Sequence, residues 1–520
     1  MTQASDLFSQ SASDLAVMIA RGEVSSAAVV EAHIARIEAT NPALNALVWS
    51  DFPRARADAK AADAAQTRGA SLGPLHGVPI TIKECIDVAG SPSTFGLTTR
   101  ATTNADSDAA IVTALRAAGA IILGKTNVAQ MLLYYESDNP VYGRTNNPWN
   151  PARTPGGSSG GEGAIIAAGG SPLGIGTDIG GSVRIPAAFC GIAALKPTTG
   201  RLNDPGRFSV PFGQRAVISQ YGPLARHVGD LALAMDILNG VDGAPPRPLG
   251  DYRKVDLGGV RIGYYTNDGT LAPSPAIARA VEAAADALRQ RGATLVEWTP
   301  PDIGQVFALY YGILSADGGA GNKRAFAGGK RDRRAAAITG LAGMNRSVRA
   351  MLAPLLRMIG QPGMAGMLGL FGARSTDQSW QLVERQLDYQ ARFADAMDAA
   401  QIDAILCPPC ALPAFTHGAS ETLGNGGAYA ILYNLLGFPA GVVPFTTIAA
   451  GETCDRVAAR DSIAKAAWQV DQDSAGLPIG VQIAAKPWRE DMVLAIMAEL
   501  EKCARTRADY PVTPRFHPTL

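Results

Sequence analysis

Helices and strands alternate along nearly all of this 520-residue chain, and that alternation predicts an α/β protein built on one large mixed sheet. A hydrophobic content of 47% against 18% charged residues agrees, since it describes a chain with a big core and not a disordered one. No internal repeat is evident.

The elements follow in order. A first helix is predicted at 14–21, capped by Ser13 and stopped by Gly22, and a second from Ser26 to Ala39, ending before Asn41-Pro42. An Ala-rich surface helix covers 54–68. From Gly77 to Lys83 the character alternates, so Ile80 and Ile82 share one face of a strand and Thr81 and Lys83 the other. Next come a helix at 108–118, a strand at 120–124 and a glycine-dense region over 155–182. The strand Val260–Tyr264 and the helix 276–291 continue the pattern. Residues 335–372 break it, being rich in Met, Gly and Leu with no acidic residue. Beyond them lie a helix at about 378–399, the strand Ala404–Cys407, a helix at 428–436, strands near 441–445 and 479–484, and a helix at 490–503. The expected division is an N-terminal helical segment packing on the core (1–65), a catalytic domain (66–505) carrying 335–372 as a lid-like insertion, and a C-terminal tail (506–520).

Composition excludes several classes. Forty-six basic and 46 acidic residues cancel, so no electrostatic case exists for a nucleic-acid partner. The start, MTQASDLFSQSASDL, lacks a basic stretch followed by an apolar one, and no run of about 20 apolar residues occurs, so a cytoplasmic protein without a transmembrane helix is expected. The six cysteines are too scattered for a disulfide framework. Cys407-Pro-Pro-Cys410 has redox or half-zinc spacing, but no second such pair joins it, which favours a structural role. His33 falls among Val30, Ile34 and Ile37 at helical spacing and reads as core; His76, His227, His417 and His517 form no ligand cluster. Neither a metal nor another cofactor is expected.

Two motifs tempt and fail. Gly119–Thr126 fits the phosphate-loop pattern GxxxxGKT, but a helix precedes it and Ala-Ile-Ile-Leu reads as a buried strand where a permissive loop is needed. Gly156–Gly160 fits the GxSxG nucleophile elbow, yet the residues leading in, Asn150 to Pro155, are a loop and not a strand.

Two serine-bearing glycine-rich segments remain, 155–162 and 174–186, with a lysine upstream. The run from Asp178 to Ser182 after an apolar strand can turn successive backbone N–H groups toward one point, a nest for an oxyanion. Pro186 can open a short helix from its first turn. A serine there needs a base, and no histidine is placed to serve. A lysine serves if neutral, which burial and a neighbouring cation can achieve. On the residues alone, a different reading stays open, in which the glycines only make tight turns and Lys83 lies on the surface.

The segments GVPITIKECIDVAG (77–90), PGGSSGGEGA (155–164) and GIGTDIGGSVRIPAAFCGIAALKPT (174–198) resemble the defining segments of the amidase signature family. Similarity runs from about residue 10 to 505, and GGEG, GGSPLGIGTDIGG and YAILYNLLGFPAGVVP are most similar to its fatty acid amide hydrolase branch. The resemblance implies the amidase signature fold, a large mixed twisted sheet covered by helices on both faces. It implies Ser182 as nucleophile, Lys83 as general base and Ser158 as proton relay, with a cis peptide bond into Ser158. It also implies an oxyanion hole from the amides of Ile179, Gly180, Gly181 and Ser182, with Ser159, Asp178 and Arg184 in support. Met131, Leu132, Leu133 and Tyr134 fall in the substrate-pocket stretch, where this sequence departs from that branch, and Tyr134 and Tyr135 would narrow a long acyl channel.

The expected activity is hydrolysis of apolar or aryl amides, extending to esters and carbamates (urethanes), because all three carbonyls pass through a tetrahedral oxyanion. The alternatives are a glutaminase-like subunit of a tRNA-dependent amidotransferase and a silent binding protein on the same fold. Segment 335–372 is expected to form an apolar lid over the substrate entrance. Val348, Met351, Leu352, Leu355 and Ile359 make one helical stripe, kinked at Pro354, and Gly360, Gly363, Gly366 and Gly369 lend mobility. Ordinary core and a homodimer contact are the competing readings of that stripe, and the branch resemblance adds peripheral membrane contact.

Overall fold

The computed structural model describes residues 7–70, 72–202, 213–241, 247–452, 454, 456 and 460–513. His517 and the ends of the two terminal segments, 1–6 and 514–520, lie outside the described residues.

The strands in chain order are β1 (Leu47–Ser50), β2 (Pro79–Lys83), β3 (Ile121–Thr126), β4 (Asp138–Asn139), β5 (Gly143–Arg144), β6 (Leu173–Asp178) and β7 (Ala193–Lys196). After them come β8 (Gln220–Ala225), β9 (Arg261–Tyr264), β10 (Thr294–Glu297), β11 (Ala404–Cys407), β12 (Ala440–Thr447) and β13 (Pro478–Ala485). Eleven of them form one sheet in the order β1-β3-β2-β6-β8-β7-β12-β13-β11-β9-β10, while β4 and β5 pair separately. The neighbours β3, β2 and β6 run parallel, as do β11, β9 and β10; the strands between are antiparallel, so the sheet is mixed as predicted. Helices flank it, and β2, β3, β6, β8 and β13 are buried along their whole length, as strands covered on both faces must be.

Most predicted elements recur within one to three residues, and the exceptions have local causes. The first helix spans Ala12–Ala20 and is capped by Ser11, whose hydroxyl accepts the Asp14 N–H; Ser13 instead bonds to Asp230. The second helix runs through Pro42 to Leu44, where left-handed Asn45 ends it. Pro42 lies in the last turn, and the Asn41 carboxamide oxygen accepts the Ala46 and Leu47 N–H groups beyond that end. Pro186 is the third residue of the helix Arg184–Cys190 and not its start. The first 65 residues are not purely helical, because β1 pairs with β3 and forms the edge of the main sheet.

Segment 335–372 is built mainly of three helices, Arg333–Gly343, Arg346–Met358 and Pro362–Leu370, with short joins between them. Its stripe is not core: Met351 and Ile359 are 66% and 59% exposed, Val348 and Leu355 are also at the surface, and Leu352 is half-buried. Among the described residues no helix is long and apolar enough to cross a membrane.

Candidate active site

Strand register brings the lysine to the first glycine-rich segment. β2 and β6 run parallel with Ile82 opposite Ile175, so Lys83 leaves the end of β2 beside Thr177 near the end of β6. As the alternation predicts, Thr81 and Lys83 both face the 155–167 segment: Thr81 Oγ1 donates to Glu162 and Lys83 Nζ to Ser158 Oγ at 2.8 Å. Lys83 Nζ also donates to Thr177 Oγ1 at 2.8 Å and to the Thr177 carbonyl at 3.3 Å. Lys83 is not a surface residue but fully buried, and burial lowers its pKa from 10.5 to about 8. The neighbouring cation expected to assist is not what lowers it: Cys85, Asp178, Glu162 and Glu84 all favour the ammonium, so burial outweighs them.

Ser158 sits just before the helix Gly160–Ala167, and the Gly157–Ser158 peptide is cis. Gly157 admits no side chain, since a Cβ there would lie 2.5 Å from the Glu136 backbone nitrogen. Ser159 ties the two serine segments together: its N–H donates to the Ser182 carbonyl at 3.2 Å and its hydroxyl to the Thr177 carbonyl at 3.3 Å. One turn on, the fully buried Glu162 accepts from Thr81 and Thr126, and burial raises its pKa to about 7.

The turn carrying Ser182 is built on one carboxylate. Asp178 Oδ1 accepts the Gly181 N–H at 2.7 Å, Oδ2 accepts the Val183 N–H at 3.2 Å, and Arg184 pairs with both oxygens at 3.0 Å. Arg184 is spent on further acceptors, the Ala430 carbonyl, Gln482 and Asn434, each within 2.9 Å. Burial would raise the Asp178 carboxyl, but Arg184 outweighs it and holds the group ionised far below the usual carboxylate range. Gly181 takes φ 108°, a conformation open to glycine. The carbonyls of Ile179 and Gly180 accept from Tyr310 Oη at 3.1 Å and Tyr135 Oη at 2.7 Å. Among the described residues the N–H groups of Ile179, Gly180 and Ser182 have no acceptor. The fourth amide expected with them, that of Gly181, is turned to Asp178, because closing the tight turn uses it.

Ser158 and Ser182 line a common cavity of about 150 Å³, whose wall is largely apolar and includes Leu314, Ile338, Met367 and Phe371. Leu132, Leu133 and Tyr134 line it, with Tyr135 beside them. Met131 does not: left-handed at φ 54°, it buries its side chain in a small cluster with Phe95, Leu97 and Phe326. Glu421 is the one charged side chain among the described lining residues, and it pairs with Arg333 at 3.0 Å. Sequence reasoning missed Thr177, Tyr310, Tyr311, Asn434 and Gln482. Thr177 stood inside a recognised segment but carried no signal of its role, which depends on strand register. Asn434 and Gln482 stood as polar letters in apolar C-terminal runs, a usable hint. No cluster of His, Cys, Asp or Glu able to hold a metal ion occurs among the described residues.

With this geometry in hand, the chain can be set beside known proteins. The amidase family model matches residues 28–494. Fatty-acid amide hydrolase 1 of Sus scrofa is 36% identical over 441 residues, covering 83% of this chain and 76% of that protein. One subunit of the glutamyl-tRNA(Gln) amidotransferase of Chloroflexus aggregans is 39% identical over 309 residues, 58% of this chain and 62% of its own. Among solved structures, a fatty acid amide hydrolase superposes with a TM-score of 0.80 at 25% identity, covering 96% of this chain and 86% of that one.

Proposed function

The chain belongs to the amidase family and hydrolyses amides, and from that premise we propose that it is a serine hydrolase of apolar or aryl amides working through Ser182, Ser158 and Lys83. The observation that carries the reading is the 2.8 Å hydrogen bond from Lys83 to Ser158 in the wall of the cavity that Ser182 also lines.

Neutral Lys83 takes a proton from Ser158, which takes one from Ser182 as its Oγ attacks the carbonyl carbon. The amides of Ile179, Gly180 and Ser182 receive the oxyanion, and preorganised donors of this kind account for a large share of such rate enhancements. Lys83, now an ammonium, returns the proton through Ser158 to the leaving nitrogen, and the C–N bond breaks. Water then attacks the acyl-enzyme by the same relay and frees Ser182. Esters and carbamates fit the same steps, since each offers a carbonyl and a leaving group that accepts the returned proton. The apolar wall supports an apolar acyl or aryl group. A volume of about 150 Å³, small beside the roughly 300–1,000 Å³ of drug-sized pockets, supports a compact one. Helices Arg333–Gly343 and Pro362–Leu370 act as the lid, through Ile338, Ala342 and Met367 and not through the exposed stripe.

A second reading, the glutaminase-like subunit, has the amidotransferase likeness in its favour. Glutamine would bring an α-carboxylate into the cavity, and no cationic side chain is among the described lining residues to receive it. A fluorophosphonate probe followed by peptide mass spectrometry tests the assignment. Labelling is expected at Ser182 and lost in Ser182→Ala; labelling at Ser158 or Cys190 overturns it. Turnover of anilides and aryl carbamates, with no release of ammonia from glutamine, separates the two readings.

A further inference from the structure

A second cavity, about 530 Å³, opens between the helices Arg346–Met358, Pro362–Leu370 and Thr376–Ala399. Arg346, Arg349, Arg357, Arg374 and Arg385 line it, and no aspartate or glutamate does. None of the five pairs with a carboxylate among the described residues; the Arg374 guanidinium donates only to the Gly372 and Ala373 carbonyls. Arg349 is 7% exposed, and its Nε and Nη1 are buried without any hydrogen-bond partner. Its guanidinium lies against Gly372, where a Cβ would come within 2.2 Å of Nη1, so the glycine leaves the room that the guanidinium fills.

A buried cation without a counter-charge is costly to fold around, and crowding it with Arg346 and Arg374 adds repulsion. Arginine forks match the planar, multidentate acceptors of phosphate better than any other common group. We propose that this cavity is a binding site for a phosphate-bearing polyanion, with Arg349 as the buried anchor and the other four arginines completing the charge. It is separate from the cavity of Ser182 but shares a wall with it. Leu368 of helix Pro362–Leu370 faces the arginines, while Met367 and the adjoining Phe371 face Ser182.

The test is isothermal titration of the full chain with inorganic pyrophosphate at low salt, together with thermal shift. Saturable binding is expected, weakening as salt rises, with an upward shift in Tm. Arg349→Gln should weaken binding about tenfold or more, the usual effect of losing hydrogen bonds to a charged group. Arg357→Gln/Arg385→Gln, both at exposed positions, should weaken it with no loss of fold. Vesicles of phosphatidylglycerol, set against phosphatidylcholine, distinguish the source of the phosphate. Arg349-dependent binding to the anionic vesicles without pyrophosphate binding assigns the group to a lipid headgroup. Pyrophosphate affinity unchanged in both variants, or no binding of either probe, overturns the proposal.

Discussion

If Lys83 is the base, activity must follow its deprotonation, and burial sets where that happens. The fall from 10.5 to about 8 corresponds to about 3 kcal/mol in favour of the neutral amine. At pH 7 about one molecule in ten then holds Lys83 neutral, on the order of 300 times the fraction in a free lysine. The assay is kcat/KM on a non-ionising anilide from pH 5.5 to 9.5, which reports the free enzyme. The rate should reach half its plateau near pH 8 and drop to about 1% of it at pH 6, two units below. Fluorophosphonate labelling should trace the same limb, since it needs only activation of the nucleophile, and EDTA should change neither. Lys83→Met should remove the limb and cost about 10²- to 10⁴-fold in rate. The variant should also be more stable near neutral pH. The folded state binds this proton less well than the unfolded chain, so wild-type stability rises with pH between about 8 and 10.5, and below that window it carries the full cost of a buried ammonium. A profile flat between pH 6 and 9, or a limb that survives in Lys83→Met, refutes the reasoning.

Other outcomes follow from the same geometry. Glu162 in its ionised form favours the Lys83 ammonium, so Glu162→Gln should move the limb to lower pH, as read from the same kcat/KM profile. Arg184→Leu strands Asp178 as a buried unpaired charge and should cost about 3–5 kcal/mol by denaturant titration, with loss of activity as the Ser182 turn loosens. Met367→Ala with Phe371→Ala should raise KM for bulky apolar amides and leave small amides nearly unchanged, whereas Met351→Ala with Met358→Ala, at exposed positions, should alter neither.

Sequence by itself determined the α/β class and the strand that carries Lys83, because each rests on local pattern, whereas Lys83, Ser158 and Ser182 as a set came from the family resemblance. Alternation from Ile80 to Lys83 decides which face the lysine takes, and the unbroken apolar run Ala120-Ile-Ile-Leu123 exposed the false phosphate loop. Lys125 is indeed buried in β3, bonded to Ser93. Helix ends were less legible, since the cap at Ser11 and the passage through Pro42 depend on which of several adjacent polar side chains finds a partner. Tertiary structure alone decided the rest of the site. Thr177 meets Lys83 only because β2 and β6 lie side by side in parallel register. Arg184 finds Asn434 and Gln482 some 250 and 298 residues away. The Gly181 amide goes to Asp178, and left-handed Met131 turns out of the cavity, through backbone angles that no periodicity encodes. The apolar stripe of 346–359 shows the limit most plainly. A helical pattern says that one face is apolar, but whether another element covers that face is a property of the assembled chain, and here most of it meets solvent.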